Sequence, residues 1–241
     1  LNSILKIKFV KFSLMVNLLF GASGSLGTSI IKNILKKYKK KKFLYISRTK
    51  PFGPKNRWIK CDLNKDVTKF NYKKIKYCIF LASPQYLRKN MNLKTFSKEY
   101  DWVKKITSSF DIDRLIYVSS PAVYLNNHYV GINKIRIERF LLKNKIKFKS
   151  LQIWRPYNLI NMSYRKYSDH FHSLLFKIMF VQKKATYKFN GNKNDTRGYA
   201  DINEFSNVLL KNAFLKKSFT KNFGNLDKIT VDEIIKIYNK Y

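Results

Sequence analysis

Three glycines, Gly21, Gly24 and Gly27, constrain the fold of this chain more than any other feature. They lie in the loop Gly21-Ala22-Ser23-Gly24-Ser25-Leu26-Gly27, with an apolar run on one side and a helical pattern on the other. Val16–Phe20 reads as a short strand buried on both faces. Ser25–Tyr38 has helical spacing, with Leu26, Ile30, Ile31, Ile34 and Leu35 on one side. A pyrophosphate needs backbone N–H groups at a helix N-terminus, and glycines leave room for its approach. The same spacing also serves a plain strand-to-helix turn. The strand before, the helix after and a second strand, Phe43–Ile46, favour a dinucleotide site.

The alternation continues to about residue 155. Arg57–Cys61, Lys76–Ala82, Arg114–Ser119 and Phe148–Trp154 read as strands, and Leu93–Phe110 and Ile132–Lys143 as helices. This order predicts an α/β fold, a Rossmann-like doubly wound parallel sheet covered by helices on both faces. Residues 15–156 would form the dinucleotide-binding region. Residues 157–241 would form a small C-terminal substrate-binding lobe of the same unit, with helices over Asp169–Val181, Asn203–Phe214 and Val231–Tyr241 and a polar turn region from Gly191 to Arg197. Thr230 is the expected N-cap of the last helix. Residues 1–14 read as an extension ahead of Met15; the apolar stretch Phe12–Phe20 runs into the glycine loop as the first strand, and no other stretch is long and apolar enough to span a membrane.

Charge sets the next constraint. Fifty Lys+Arg oppose fourteen Asp+Glu, a formal net charge of +36. Such a balance suits nucleic acid or an anionic membrane surface as partner. Yet Lys far outnumbers Arg and is spread along the chain, which fits a biased codon usage better than a specific nucleic-acid reader. The dense run between residues 36 and 42 falls where a helix ends and complements its dipole. Cys61 and Cys78 are expected as buried free thiols of a reducing, cytoplasmic compartment. His128, His170 and His172 lack zinc-like spacing, so no metal site is expected.

The end of the second strand bears on the cofactor. Ser47-Arg48-Thr49-Lys50 stands where an NAD site would place an acid for the ribose hydroxyls. An Arg and a hydroxyl there suit a 2′-phosphate, which makes NADP the first choice and NAD the alternative. Arg48 can equally be one more cation in a basic protein.

Taken together, these segments resemble the extended short-chain dehydrogenase/reductases, the NAD(P)-dependent nucleotide-sugar epimerases, dehydratases and reductases. The resemblance runs over roughly residues 16–240. It rests on the glycine loop, on Cys61-Asp62-Leu63, on Phe80-Leu81-Ala82-Ser83 and above all on Leu115–Tyr124. It implies that Gly21, Ser23, Gly24, Ser25, Leu26, Gly27, Ser47, Arg48, Asp62, Leu63, Ala82 and Ser83 line the cofactor, with Asp62 at the adenine. It implies that Ser120 orients a substrate oxygen. The family's Tyr-x-x-x-Lys is displaced here. Lys134 fits the lysine, which would hold the nicotinamide ribose and lower the phenol's pKa. The tyrosine position holds Val130, and Tyr129 stands one residue early, about 100° round a helix. Asn158, within Arg155–Leu159, and Arg197 resemble substrate-binding positions, Arg197 as a fork on the diphosphate.

The resemblance therefore implies a cytoplasmic oxidoreductase, epimerase or dehydratase acting on a nucleotide-linked sugar, in surface polysaccharide biosynthesis, often as a homodimer. The displaced tyrosine supports an alternative, a catalytically reduced NADP(H)-binding sensor or scaffold. The basic charge supports another, a nucleic-acid-associated protein.

Overall fold

The computed structural model describes residues 15–65, 72–84, 93–125, 128–160 and 196–238. The expected extension 1–14 and the expected helix Asp169–Val181 lie outside them. Parallel strands alternate with helices in the order foreseen. They are β1 (Val16–Phe20), α1 (Ser25–Lys37), β2 (Phe43–Ser47), β3 (Trp58–Lys60), β4 (Lys74–Phe80), α2 (Leu93–Ser109), β5 (Asp111–Val118), α3 (Tyr129–Lys143) and β6 (Ser150–Pro156). Then come β7 (Asn158–Ile160), β8 (Thr196–Asp201), α4 (Ile202–Ala213), β9 (Phe219–Phe223), β10 (Asn225–Thr230) and α5 (Val231–Tyr238).

Seven strands form one sheet in the order β3-β2-β1-β4-β5-β6-β9, every neighbouring pair parallel. The chain thus winds outward in both directions from β1 and β4. In a sheet of this kind the crevice beyond the carboxyl ends of those two strands is the place where a ligand binds. A second sheet, β10-β8-β7, lies beside it.

Both faces of the main sheet are dry, as the unbroken apolar runs require. Leu18 and Phe20 point with Cys78 and Phe80 into one core, closed by Val103 and Ile106 of α2 and Ile137 and Leu141 of α3. Leu19 points with Tyr45 and Ile79 into the other, closed by Ile30, Ile31 and Ile34 of α1 and Phe205 and Leu209 of α4. Each such side chain contributes about 1.5–3 kcal/mol on burial. Trp154, 1% exposed, meets Phe205 and Phe219 edge-on at 5.8 and 5.0 Å.

Several boundaries move. The fourth strand starts at Lys74 and the fifth at Asp111, because Ile75 and Ile112 alternate with charged neighbours into the core. The third helix begins at Tyr129. Four short strands after Pro156 were not anticipated, and Thr196 and Arg197, expected in the turn region, open β8 instead; the rest of that expected region, 191–195, lies outside the described residues. β9 joins the main sheet beside β6, tied there by buried Gln152, whose amide donates to the Asn212 and Lys217 carbonyls at 2.7 and 3.2 Å. Thr230 caps α5 as expected: its Oγ1 accepts from the Glu233 N–H at 3.1 Å, and the Glu233 carboxylate accepts from the Thr230 N–H at 2.7 Å. Cys61 and Cys78 are buried thiols outside any disulfide, as expected, and burial raises the Cys78 thiol far above its usual range.

Candidate functional site

The glycine loop forms where β1 ends at the sheet's carboxyl edge. Its N–H groups at Gly21 and Ala22 donate to the Ile46 carbonyl at 3.0 and 3.3 Å, which pins the loop to β2. The three glycines are there for different reasons. Gly21 has φ +80°, and a Cβ on it would lie 2.7 Å from the Ala82 nitrogen. A Cβ on Gly27 would lie 2.6 Å from the carbonyl oxygens of Gly21 and Ala22. Both are demanded by the protein's own packing. Gly24 is not: its φ is −72°, and only the Gly21 oxygen, at 3.4 Å, approaches a Cβ there. Gly24 is also the N-cap of α1, with no side chain capping the helix and no acid in its first turn. The orphan N–H groups of that turn therefore remain available to an anion.

Gly21, Ser23 and Gly24 form one wall of a cavity of about 240 Å³. Ser47, Arg48, Asp62 and Leu63 form a second wall, and Ala82 and Ser83 a third. The structure thus gathers these nine foreseen residues into one place. Ser25, Leu26 and Gly27 lie behind it in the first turn of α1. The volume is below the roughly 300–1,000 Å³ of a complete small-molecule site, so it suits one end of a long ligand.

Leu81, from the fourth-strand end expected to line the cofactor, lines it too, and Ile46, Cys61, Asn64 and Trp102 also line it without having been anticipated. Trp102 arrives from α2, its Nε1 donating to Asn64 Oδ1 at 3.2 Å. Asn64 in turn donates to Asp62 Oδ1 at 3.1 Å through both its backbone and its side chain. Ser47 Oγ donates to the Thr49 carbonyl at 2.7 Å, so its proton is already used. Arg48 is exposed and makes no side-chain hydrogen bond or ion pair among the described residues. The cation, not the hydroxyl, is the group free to meet a phosphate.

Beyond β5 lie the residues foreseen for catalysis. Ser120 is half-buried and caps a short 3₁₀ turn, Pro121–Tyr124, accepting from the Ala122 N–H at 3.2 Å. Lys134 is 6% exposed. Its ammonium donates to Glu99 Oε1 at 2.6 Å, to Tyr117 Oη at 3.1 Å and to the Val118 carbonyl at 3.3 Å. An ammonium has three protons, and all three point inward. Tyr129 is the first residue of α3, 48% exposed, and its ring stacks on Phe96 of α2 at 6.5 Å. The structure does not join Tyr129 to Lys134. Gly131 sits where α3 crosses the 3₁₀ turn, and a Cβ there would lie 2.1 Å from the Ala122 oxygen.

Glu99 is the residue that sequence reading missed. It is 1% exposed and accepts from Lys134, from Tyr117 Oη at 2.8 Å and, on its other oxygen, from Ser83 Oγ at 3.2 Å. Ser83 lines the cavity, so it connects the cavity to the Lys134 cluster. A signal existed: Glu99 interrupts the apolar stripe Phe96, Val103 and Ile106 of α2. A second buried acid, Glu138, accepts from Ser119 Oγ at 2.5 Å and pairs with Arg155, whose Nε donates to it at 3.0 Å. That hydrogen bond raises the Arg155 guanidinium above its ordinary value. Arg155 also donates to Tyr124 Oη at 2.8 Å.

On the substrate side, Asn158 Nδ2 donates to the Gly198 carbonyl at 3.1 Å across β7 and β8. Arg197 lies in β8 opposite Ile229, and its side chain is outside the described residues. Asp201 caps α4, its Oδ1 accepting from Asn203 and Glu204 at 2.8 and 2.7 Å.

No protein-family model matches the sequence, and no curated protein matches it. Solved structures do match. The NAD-dependent NDP-hexosamine 5,6-dehydratase TunA, involved in tunicamycin biosynthesis, superposes with a TM-score of 0.77 at 14% identity, over 94% of this chain and 81% of that one. MoeE5, in complex with UDP-glucose and NAD, gives 0.74 at 16% identity, over 93% and 81%. The UDP-glucose 4-epimerase of Thermotoga maritima gives 0.74 at 13% identity, over 94% and 82%. The chain has their fold. At these identities that is a statement about architecture, and the parallel order around β1 and β4 is the part on which it stands.

Proposed function

We propose that this protein binds a nicotinamide dinucleotide at the glycine loop, NADP(H) ahead of NAD(H), and acts on a nucleotide-linked sugar as an epimerase, dehydratase or reductase. The observation that carries the first part is Gly24: its missing side chain opens an uncapped helix N-terminus into a cavity that the protein does not itself fill. The pyrophosphate would take the N–H groups of Ser25 and Leu26, the adenine the side of Asp62 and Leu63, and Arg48 the 2′-phosphate. The bound nicotinamide would supply hydride transfer. Ser120 would orient a sugar oxygen, and residues 157–241, with Asn158 and Arg197, would hold the nucleotide diphosphate. The dinucleotides and nucleotide sugars bound by the similar structures support this reading.

A second reading has its own observation. All three Lys134 protons are taken by Glu99, Tyr117 and Val118, and Tyr129 lies against Phe96. A protein arranged this way holds the cofactor without a proton donor at the reacting carbon, as a sensor or scaffold. A panel of UDP-, dTDP-, GDP- and ADP-linked sugars, assayed with NADP+ and NAD+, separates the two. Turnover that Tyr129→Phe lowers about 100-fold or more supports the enzyme with Tyr129 as acid/base. Tight NADPH binding with no turnover on any sugar supports the second reading. In either case Arg48→Ala should weaken NADPH about tenfold and leave NADH unchanged.

A further inference from the structure

The parallel sheet has two ends, and the cavity occupies only the carboxyl end, after β1, β2 and β4. The amino ends share the opposite edge, and lysines distant in sequence meet there. The run 39–42 precedes β2, Lys73 precedes β4, Lys145 and Lys147 precede β6, and Lys216 and Lys217 precede β9. Apart from half-buried Lys41, all of them are exposed. From β2 to β9 the row crosses the sheet, a width of about 24 Å at ordinary strand spacing. Among the described residues, the acids at this edge, Asp111 and Asp113, already face Lys74 at 4.0 Å and Lys149 at 3.1 Å. The edge is therefore strongly positive.

It is also apolar at its tips. Ile146, between Lys145 and Lys147, is 96% exposed. Met15 before β1, Leu142 at the end of α3 and Leu215 after α4 are 38%, 49% and 49% exposed at the same edge. The exposed aromatic rings among the described residues, Phe52, Tyr124 and Tyr129, lie in segments of the other end. A single-stranded nucleic-acid platform needs stacking rings, and base and phosphate readers favour Arg forks. Lysines around aliphatic tips are the chemistry of an anionic lipid surface: the ammonium groups meet the headgroups while the tips enter the acyl boundary.

We propose that this edge docks the protein on an anionic lipid bilayer, with Ile146 as the leading apolar contact and the cavity left facing water. The proposal does not depend on what the cavity binds. The full chain should sediment with vesicles of phosphatidylcholine containing about 30 mol% phosphatidylserine, partitioning about tenfold more strongly than onto phosphatidylcholine alone. Lys145→Glu with Lys147→Glu should lower that partition about fivefold or more. Ile146→Ser changes no charge and should lower it about threefold, with an unchanged melting temperature, since the side chain is in solvent. Equal partition onto both vesicles, or none, overturns the proposal. So does an Ile146→Ser protein that binds as the parent does, or a DNA duplex held more tightly than the anionic vesicles. NADPH titration of the same variants keeps the two readings apart: the variants should bind it normally, and loss of vesicle binding alone leaves the cavity's role intact.

Discussion

Gly24 and Gly27 belong to one motif but answer to different masters. A methyl group on Gly27 would press on two carbonyl oxygens at 2.6 Å, so Gly27→Ala should cost about 1–3 kcal/mol in urea unfolding. A methyl on Gly24 meets one atom at 3.4 Å, so Gly24→Ala should stay within about 0.5 kcal/mol of the parent. The larger Gly24→Val should still fold and lose about tenfold or more in NADPH affinity, measured by calorimetry. A Gly24→Val protein that binds NADPH as well as the parent would remove the loop from the site. The Lys134–Glu99 pair makes a second residue-level expectation. With side chains 7% and 1% exposed, removal of one charge strands the other, and Glu99→Leu should cost about 3–5 kcal/mol. Glu99→Leu with Lys134→Met should recover most of that. Cys78 gives a third. Burial holds its thiol above the ordinary value near 8.5, so thiolate is scarce at pH 8 and appears only as pH rises well beyond it. Alkylation at pH 8 should spare Cys78 in the native protein and modify it fully in urea.

At the scale of elements, α1 and α4 share one apolar core and are also joined through small buried polar residues. Ser29 Oγ lies 2.9 Å from Ser206 Oγ and donates to Asn203 Oδ1 at 2.9 Å, while Asn33 Nδ2 donates to Ser206 Oγ at 2.6 Å. Ser206 is fully buried, so Ser206→Leu both overfills the seam and orphans Asn33. The expected cost is about 3 kcal/mol by urea unfolding. The alternation of elements up to β6 was legible because their apolar runs and helical stripes are long. The short strands β7, β8 and β10 were not, since none has an apolar run of more than two residues and each takes its identity from partners far along the chain. The same limit hid the start of α3. Tyr129 is polar-tipped and exposed, so nothing in its own pattern separates the first helical turn from the preceding loop.

For the whole molecule, the winding of the sheet assigns its two ends to different surroundings. The carboxyl end brings the first loop, the end of β2 and the end of β4 into one cavity, and this much was readable because each foreseen residue ends a recognisable strand. Glu99 left a trace as a break in the apolar stripe of α2, but its partners were not readable, since they lie 16 to 35 residues away and only the packing of α2 beside β5 and α3 brings them together. The amino end collects lysines that in the sequence look merely dispersed, and only parallel pairing shows that they share an edge. The central claim is that the open N-terminus of α1 at Gly24 is a dinucleotide site. A crystal structure of the full chain grown with NADP+ tests it most directly. The pyrophosphate should lie against the N–H groups of Ser25 and Leu26, with the 2′-phosphate at Arg48 and the adenine beside Asp62. A dinucleotide bound elsewhere, or a cavity still without one at saturating NADP+, would contradict it.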